Sequence, residues 1–374
     1  MTREEIVAAL QRKERDLSGR NLTGLDLSAL DLSGANLTGA ILHRADLTGA
    51  DLTGVQAQGA DFSEVRAKGA LFCQGNLREA SFREARLERA VFREADLTGA
   101  DFLRADLLSA NLSEAVLRNA DLRSAFLKEG NLSGANLTHA DARSASFRNA
   151  ILEHAILVGT DLEADSLMGR DDVNRKILAG ADFRGANLTG SDLRSARLRQ
   201  AYFNEAILSH ANLTGTQWEG TVFEGADLTG CDFSDVRFAG AVLQRIVCPR
   251  GNFANVDLSG MDLRHARLSG ANLARANLRD AILSFADLRR ANLSGALLTN
   301  ADLGGADLSG AFLNNADLFG ANLAAALLDG ATLDGADFAE ASLEKASFTD
   351  AKLDRAKHLP WRIRQRWLPR WIRR

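Results

Sequence analysis

Cysteine, proline and tyrosine are scarce in this chain of 374 residues, with three, three and one respectively. Three cysteines, at 73, 231 and 248, do not make a disulfide framework and fit a reducing compartment. No apolar run reaches about eighteen residues, so no stretch reads as a bilayer span. The opening, MTREEIVAALQRK, lacks the apolar core of a signal peptide. Together these absences predict a cytoplasmic protein. Catalytic patterns are also missing. Histidines 43, 139, 154, 210, 265 and 358 are scattered, and no Cys/His metal spacing, phosphate loop or nucleophile elbow is present. The expectation is a chain that is no enzyme and takes no cofactor, metal or small-molecule substrate.

What the chain has in abundance is a period of five. From Leu288 to Phe338 every fifth residue is Leu or Phe, and two residues before each stands Ala. Five matches neither the 3.6-residue period of a helix nor the two-residue period of a strand. If every fifth residue points inward, each repeat makes the same bend, and four bends close a square coil of about twenty residues. Stacked coils form a solenoid in which each coil touches only its neighbours. The central Leu or Phe then fills the core, and Ala sits inward at a corner where bulk would collide with the next coil. Asp, Asn, Ser, Thr and Arg face water, and the frequent Gly suits a tight turn. By position Cys231 and Cys248 point inward and Cys73 outward.

The motif, A(D/N)LXX, resembles that of the pentapeptide-repeat family from about Asp16 to Arg355. The resemblance implies an all-β fold, a right-handed quadrilateral β-helix. It also implies a protein-interaction role, because some members bind type II topoisomerases such as DNA gyrase by mimicking a duplex with an acidic rod.

Along the chain, residues 1–14 read as a capping helix, with Thr2 and Glu5 in a capping box and Ile6, Ala9 and Leu10 on one apolar face. Residues 15–167 form a first repeat block. Within it Asp101, Asp121, Asp141 and Asp161 fall in one column, with Arg123 and Arg143 placed as counter-charges. Between Leu167 and Leu178 the frame slips, since eleven residues separate them instead of ten; the charged stretch 168–177 is read as a bulge, a partner-touching loop or a hinge. Residues 178–356 form the second block, and the expected total is about 17 coils. There Tyr202, Val222 and Val242 occupy twenty-residue spacing where Asp or Asn is usual, which predicts an apolar stripe as a candidate interaction surface.

Residues 357–374, a Trp- and Arg-rich tail, leave the repeat. They carry +7, against −11 for the rest of the chain. Trp361, Trp367 and Trp371 with Arg362, Arg364 and Arg366 join the candidate surface. The tail is read as a lid on the last coil, or as a contact for an anionic membrane surface or nucleic acid. Partners left open are an unidentified protein and a second copy of the chain. Two functions stand: a non-enzymatic structural or protein-interaction scaffold, and a DNA mimic that binds a type II topoisomerase.

Overall fold

A computed structural model describes residues 2–162 and 181–360, apart from 195, 232, 234, 235 and 239. The chain divides into two compact units. The first comprises Met1–Val222 with Ser234–Val236, and the second Phe223–Phe233 with Arg237–Arg374.

The first unit opens with α1, Arg3–Gln11. Its N-cap Thr2 accepts from the Glu5 backbone N–H while the Glu5 carboxylate accepts from the Thr2 N–H, the expected capping box. Ile6 and Ala9 are buried. From Asp16 onward the backbone is a ladder of isolated parallel bridges, each joining a residue to the one twenty further along. Asp16, Asn21, Asp26 and Asp31 pair with Asn36, Ile41, Asp46 and Asp51. Four bridges per twenty residues make a four-sided coil.

One repeat, Ala35-Asn36-Leu37-Thr38-Gly39, shows why five residues suffice. Leu37 and Gly39 donate their N–H groups forward to Gln56 O and Gln58 O of the next coil, and Asn36 donates back to Arg15 O. Ala40 N–H closes the corner on Leu37 O at 2.9 Å. The remaining donor, Thr38 N–H, bonds the Asn36 side-chain oxygen at 3.1 Å. Every N–H of the repeat therefore has an acceptor within the protein. The corner needs a positive φ at its fifth residue, 64° at Gly39, and elsewhere residues such as Arg44 and Glu64 accept the same strained conformation.

The core follows from the same geometry. Corner alanines and central leucines are almost fully buried in both units. In the first unit Phe62, Phe82 and Phe102 stack on one wall with centroids 4.9 Å apart, and Phe72 and Phe92 stack on the opposite wall at 4.7 Å. The two columns meet edge to face. Trp218 takes a central position by donating its indole N–H to Thr216 Oγ1 at 2.7 Å; Thr216 stands where Ala is usual and passes the bond on to Leu213 O.

The ladder skips at one place. Ser146 pairs with Asp182 and Asp161 with Arg197, an offset of 36. Ala181 N–H closes the corner on Leu162 O at 3.0 Å, as the next alanine does elsewhere. Phe147 still stacks on Phe183 at 4.6 Å, so the core runs on through the skip. The frame slip, with its segment 168–177 and the centres read at Leu167, Val173 and Leu178, lies outside the described residues.

The second unit repeats the pattern, as in the rungs Asn252, Asn272, Asn292 and Phe312. Cys231 and Cys248 are buried and unbridged, Cys73 of the first unit is half-buried, and burial pushes the Cys248 thiol up. No described helix is long and apolar enough to cross a membrane.

Candidate functional site

The second residue of each repeat decides what the outer face offers. Where it is Asp or Asn, its oxygen accepts the N–H two residues on, as at Asp51 with Thr53 and Asn187 with Thr189, both near 3 Å. This is an Asx turn. A hydrophobic residue there has no acceptor to offer and presents an apolar side chain outward. In the first unit Ile151, Ile156 and Ile207 do so, exposed by 41%, 37% and 42%. Ile151 and Ile207 share one face with Asn187 on the rung between them, and Ile156 follows Ile151 around a corner. Three isoleucines on adjacent faces form a surface that sequence reading missed. The available signal was β-branched apolar residues in the Asp/Asn column.

Tyr202 and Val222 pair across a bridge of the first unit, and both are half-buried. Val242 belongs to the second unit and is also half-buried. Trp361, Trp367, Trp371, Arg362, Arg364 and Arg366 lie outside the described residues.

The acidic column is present and neutralised. Asp101, Asp121, Asp141 and Asp161 occupy successive rungs. Arg83 reaches Asp101 at 2.7 Å, and Arg197 reaches Asp161 at 3.1 Å. Arg123 Nη2 lies 2.5 Å from Asp121, with its Nε 3.7 Å from Asp141. Arg143 likewise bridges Asp141 and Asp161, at 2.5 and 3.8 Å. Burial pushes the Asp121 carboxyl up, but hydrogen bonds from Arg123 and its charge outweigh this and hold it below the usual carboxylate range. Guanidiniums thus interleave with the carboxylates along the face.

An open recess of about 420 Å³ lies near this face, lined by Asp61, Ser63, Glu64, Ser81, Arg83 and Glu84. Its groups are largely engaged with one another: Asp61 accepts from Ser63, Glu64 pairs with Arg44 at 2.8 Å, and Glu84 lies 3.7 Å from Arg104. Among the described residues no group of three or more His, Cys, Asp or Glu is placed to hold a metal ion. What the arrangement offers chemically is a regular surface of paired charges interrupted by apolar side chains.

The family model described as pentapeptide repeats (8 copies) matches residues 16–54, 31–69, 75–113, 90–128, 104–136, 131–164, 177–205, 206–245, 252–289, 286–324 and 321–357. Among curated proteins none matches. Among solved structures the chain is similar to HetL, a pentapeptide repeat protein involved in heterocyst differentiation regulation from the cyanobacterium Nostoc sp.; identity is 30%, over 65% of this chain and 97% of HetL, with a TM-score of 0.37. It is also similar to a pentapeptide repeat protein of the Arabidopsis thaliana thylakoid lumen, at 34% identity over 31% of this chain and 72% of that one, TM-score 0.20. Full-length QnrB1, a plasmid-mediated fluoroquinolone resistance protein, is 19% identical over 62% of this chain and 91% of its own, TM-score 0.25.

Proposed function

Because this chain belongs to the pentapeptide-repeat family, we propose that it is a non-enzymatic scaffold that binds a protein partner through the outer faces of its coils. On this reading α1 is the lid of the first coil. The observation that carries the proposal is the apolar surface of Ile151, Ile156 and Ile207. At these positions the fold gains from an Asx bond, worth about 0.5–1.5 kcal/mol, and isoleucine forgoes it to expose a hydrocarbon. Apolar groups clustered on an outer face suit a contact surface. Tyr202 and Val222 of the first unit, and Val242 of the second, are further candidate contacts.

The double variant Ile151→Asn/Ile207→Asn separates binding from stability, because Asn supplies the missing acceptor. Melting temperature is expected to hold or rise. A partner cross-linked to the wild-type protein in its native cytoplasm is expected to be lost from the variant. Equal recovery of that partner by both proteins would remove this surface from the proposal. The DNA-mimic reading has less support, since a duplex-like field requires uncompensated carboxylates and the Asp101–Asp161 face carries its arginines within hydrogen-bonding distance.

A further inference from the structure

Residues 245–290 are a basic band in an acidic chain. They hold eight arginines and four aspartates, with no lysine or glutamate, so 8 − 4 gives +4, against −4 for the whole chain. All belong to the second unit. An arginine in the fourth position of a repeat folds back on the aspartate two residues before it. Arg264 does so with Asp262 at 2.5 Å, and Arg289 with Asp287 at 2.7 Å. An arginine in the fifth position leans instead over the same corner of the next coil. In the first unit Arg44 meets Glu64 there, at 2.8 Å. In the second unit that corner is glycine. Arg250 lies over Gly270 and Arg290 over Gly310, with Cγ 3.3 and 3.5 Å from where a glycine Cβ would stand. Among the described residues, Arg245, Arg250, Arg267, Arg275 and Arg290 make no side-chain hydrogen bond or ion pair.

Four of these five surround one face. Val247, Arg267, Asp287 and Asp307 are successive rungs along its middle. Arg245 stands on one border, in a column with His265 and Phe285, and Arg250 and Arg290 stand on the other. All four arginines are exposed. The face's own carboxylates are already answered by Arg289, which lies 2.7 Å from Asp287 and 3.8 Å from Asp307. Phe285, at 63%, is the most exposed of the large hydrophobic residues described. Yet neither face of its ring is free. One lies against His265, nearly parallel at 5.3 Å. The other lies against Gly305, whose Cβ would stand 2.7 Å from the ring. What Phe285 presents to water is its rim, the electropositive edge of an aromatic ring.

We infer that this face docks an acidic segment of a protein partner, whose carboxylates pair with Arg245, Arg250, Arg267 and Arg290 and whose chain passes along the rim of Phe285. The occupant follows from charge complementarity. A single-stranded nucleic acid is disfavoured, because its bases need a free ring face on which to stack. The inference rests on the protein-binding reading above but uses a different surface, since Ile151, Ile156 and Ile207 belong to the first unit.

Phenylglyoxal labelling of the full chain, read residue by residue by mass spectrometry, tests this and separates the face from the basic tail. In the free protein Arg245, Arg250, Arg267 and Arg290 are expected to label fast. Arg264 and Arg289, held by their aspartates, label slowly and report that the fold persists. Poly-L-glutamate is expected to slow the four fast arginines several-fold at low salt and to lose this effect at high salt. Arg250→Gln/Arg290→Gln, an exposed change, is expected to abolish the slowing at Arg245 and Arg267. Rates indifferent to poly-L-glutamate, or slowing that survives in this variant, would overturn the inference. So would equal or greater slowing by oligothymidylate or phosphatidylserine vesicles, which would assign the face to phosphate-bearing partners. Ile151→Asn/Ile207→Asn is expected to label as the wild type does, so failure of the isoleucine surface and failure of this face are read separately.

Discussion

Asp302 and Ala301 are neighbours with opposite duties. Ala301 is fully buried at a corner. Asp302 is half-exposed, yet its Oδ1 accepts from Gly304 N–H at 3.0 Å and from the Asn322 side chain at 2.8 Å. Ala301→Leu is expected to destabilise by about 1–3 kcal/mol through overpacking. Asp302→Asn keeps the acceptor and is expected to stay within about 0.5 kcal/mol of wild type, whereas Asp302→Ala strands a turn N–H and costs about 0.5–2 kcal/mol, as a lost helix cap does. Urea melts of the three variants check the order. Equal losses for Ala301→Leu and Asp302→Asn would contradict the inward placement of Ala301. The tolerance of Asp and Asn alike in the motif has its explanation here, since both bring one oxygen to the same place. Sequence reading placed these residues on the surface but did not find the bond, because period alone reports direction and not partners.

At the scale of elements, the first coil has carbonyls with no coil before it to donate to them. Arg3 of α1 reaches Asp26 O and Ser28 O, and Arg15 reaches Asp31 O and Ser33 O as well as the Asp31 carboxylate at 3.1 Å. Arg15 stands at a corner position where Ala is usual, and its guanidinium is the donor that an absent coil would have supplied. Hydrogen bonds from Ser33 and Arg15 lower the Asp31 pKa from 3.8 to about 2. A carboxyl depressed on folding contributes stability that is present above its ordinary pKa and is lost as pH falls through the folded value. The window is therefore between about pH 4 and pH 2. Protection factors of first-coil amides, taken relative to intrinsic exchange at each pH, are expected to fall across it, modestly and less so in high salt, since the pair is exposed to water. Arg15→Ala should accelerate exchange in this coil already at neutral pH, with interior coils unaffected. Protection factors at Leu17 and Leu22 that ignore both pH and the substitution would exclude this role for Arg15.

At the scale of the whole molecule, register decides which residues belong to the solenoid. The offset of 36 exceeds the usual twenty by sixteen residues, which is three repeats and one residue. Such a length still places apolar residues at near-repeat spacing, at Leu167, Val173 and Leu178, so in sequence it reads as a slip of a single residue. Excision of residues 165–180 restores an offset of twenty at each of the skipped rungs. The excised protein is expected to keep its circular dichroism and to melt at or slightly above the wild-type temperature, since shortening a connection lowers closure entropy. A lower melting temperature with loss of β signal would show that the coils need those residues.

By itself the sequence determined the five-residue bend, the inward Leu, Phe and Ala, the capping box of α1 and the family. Each of these is local or repeats with the chain's own period, so neighbouring residues are enough to read it. Only the tertiary structure decided that Asp182 follows Ser146 on its face, that Thr216 satisfies the Trp218 indole, that Arg83 and Arg197 close the two ends of the aspartate column, and that Ile151, Ile156 and Ile207 lie on two adjacent faces. Those facts depend on which coil lies above which. An offset of twenty or thirty-six is set by closure of the coil in space, and no local pattern records it.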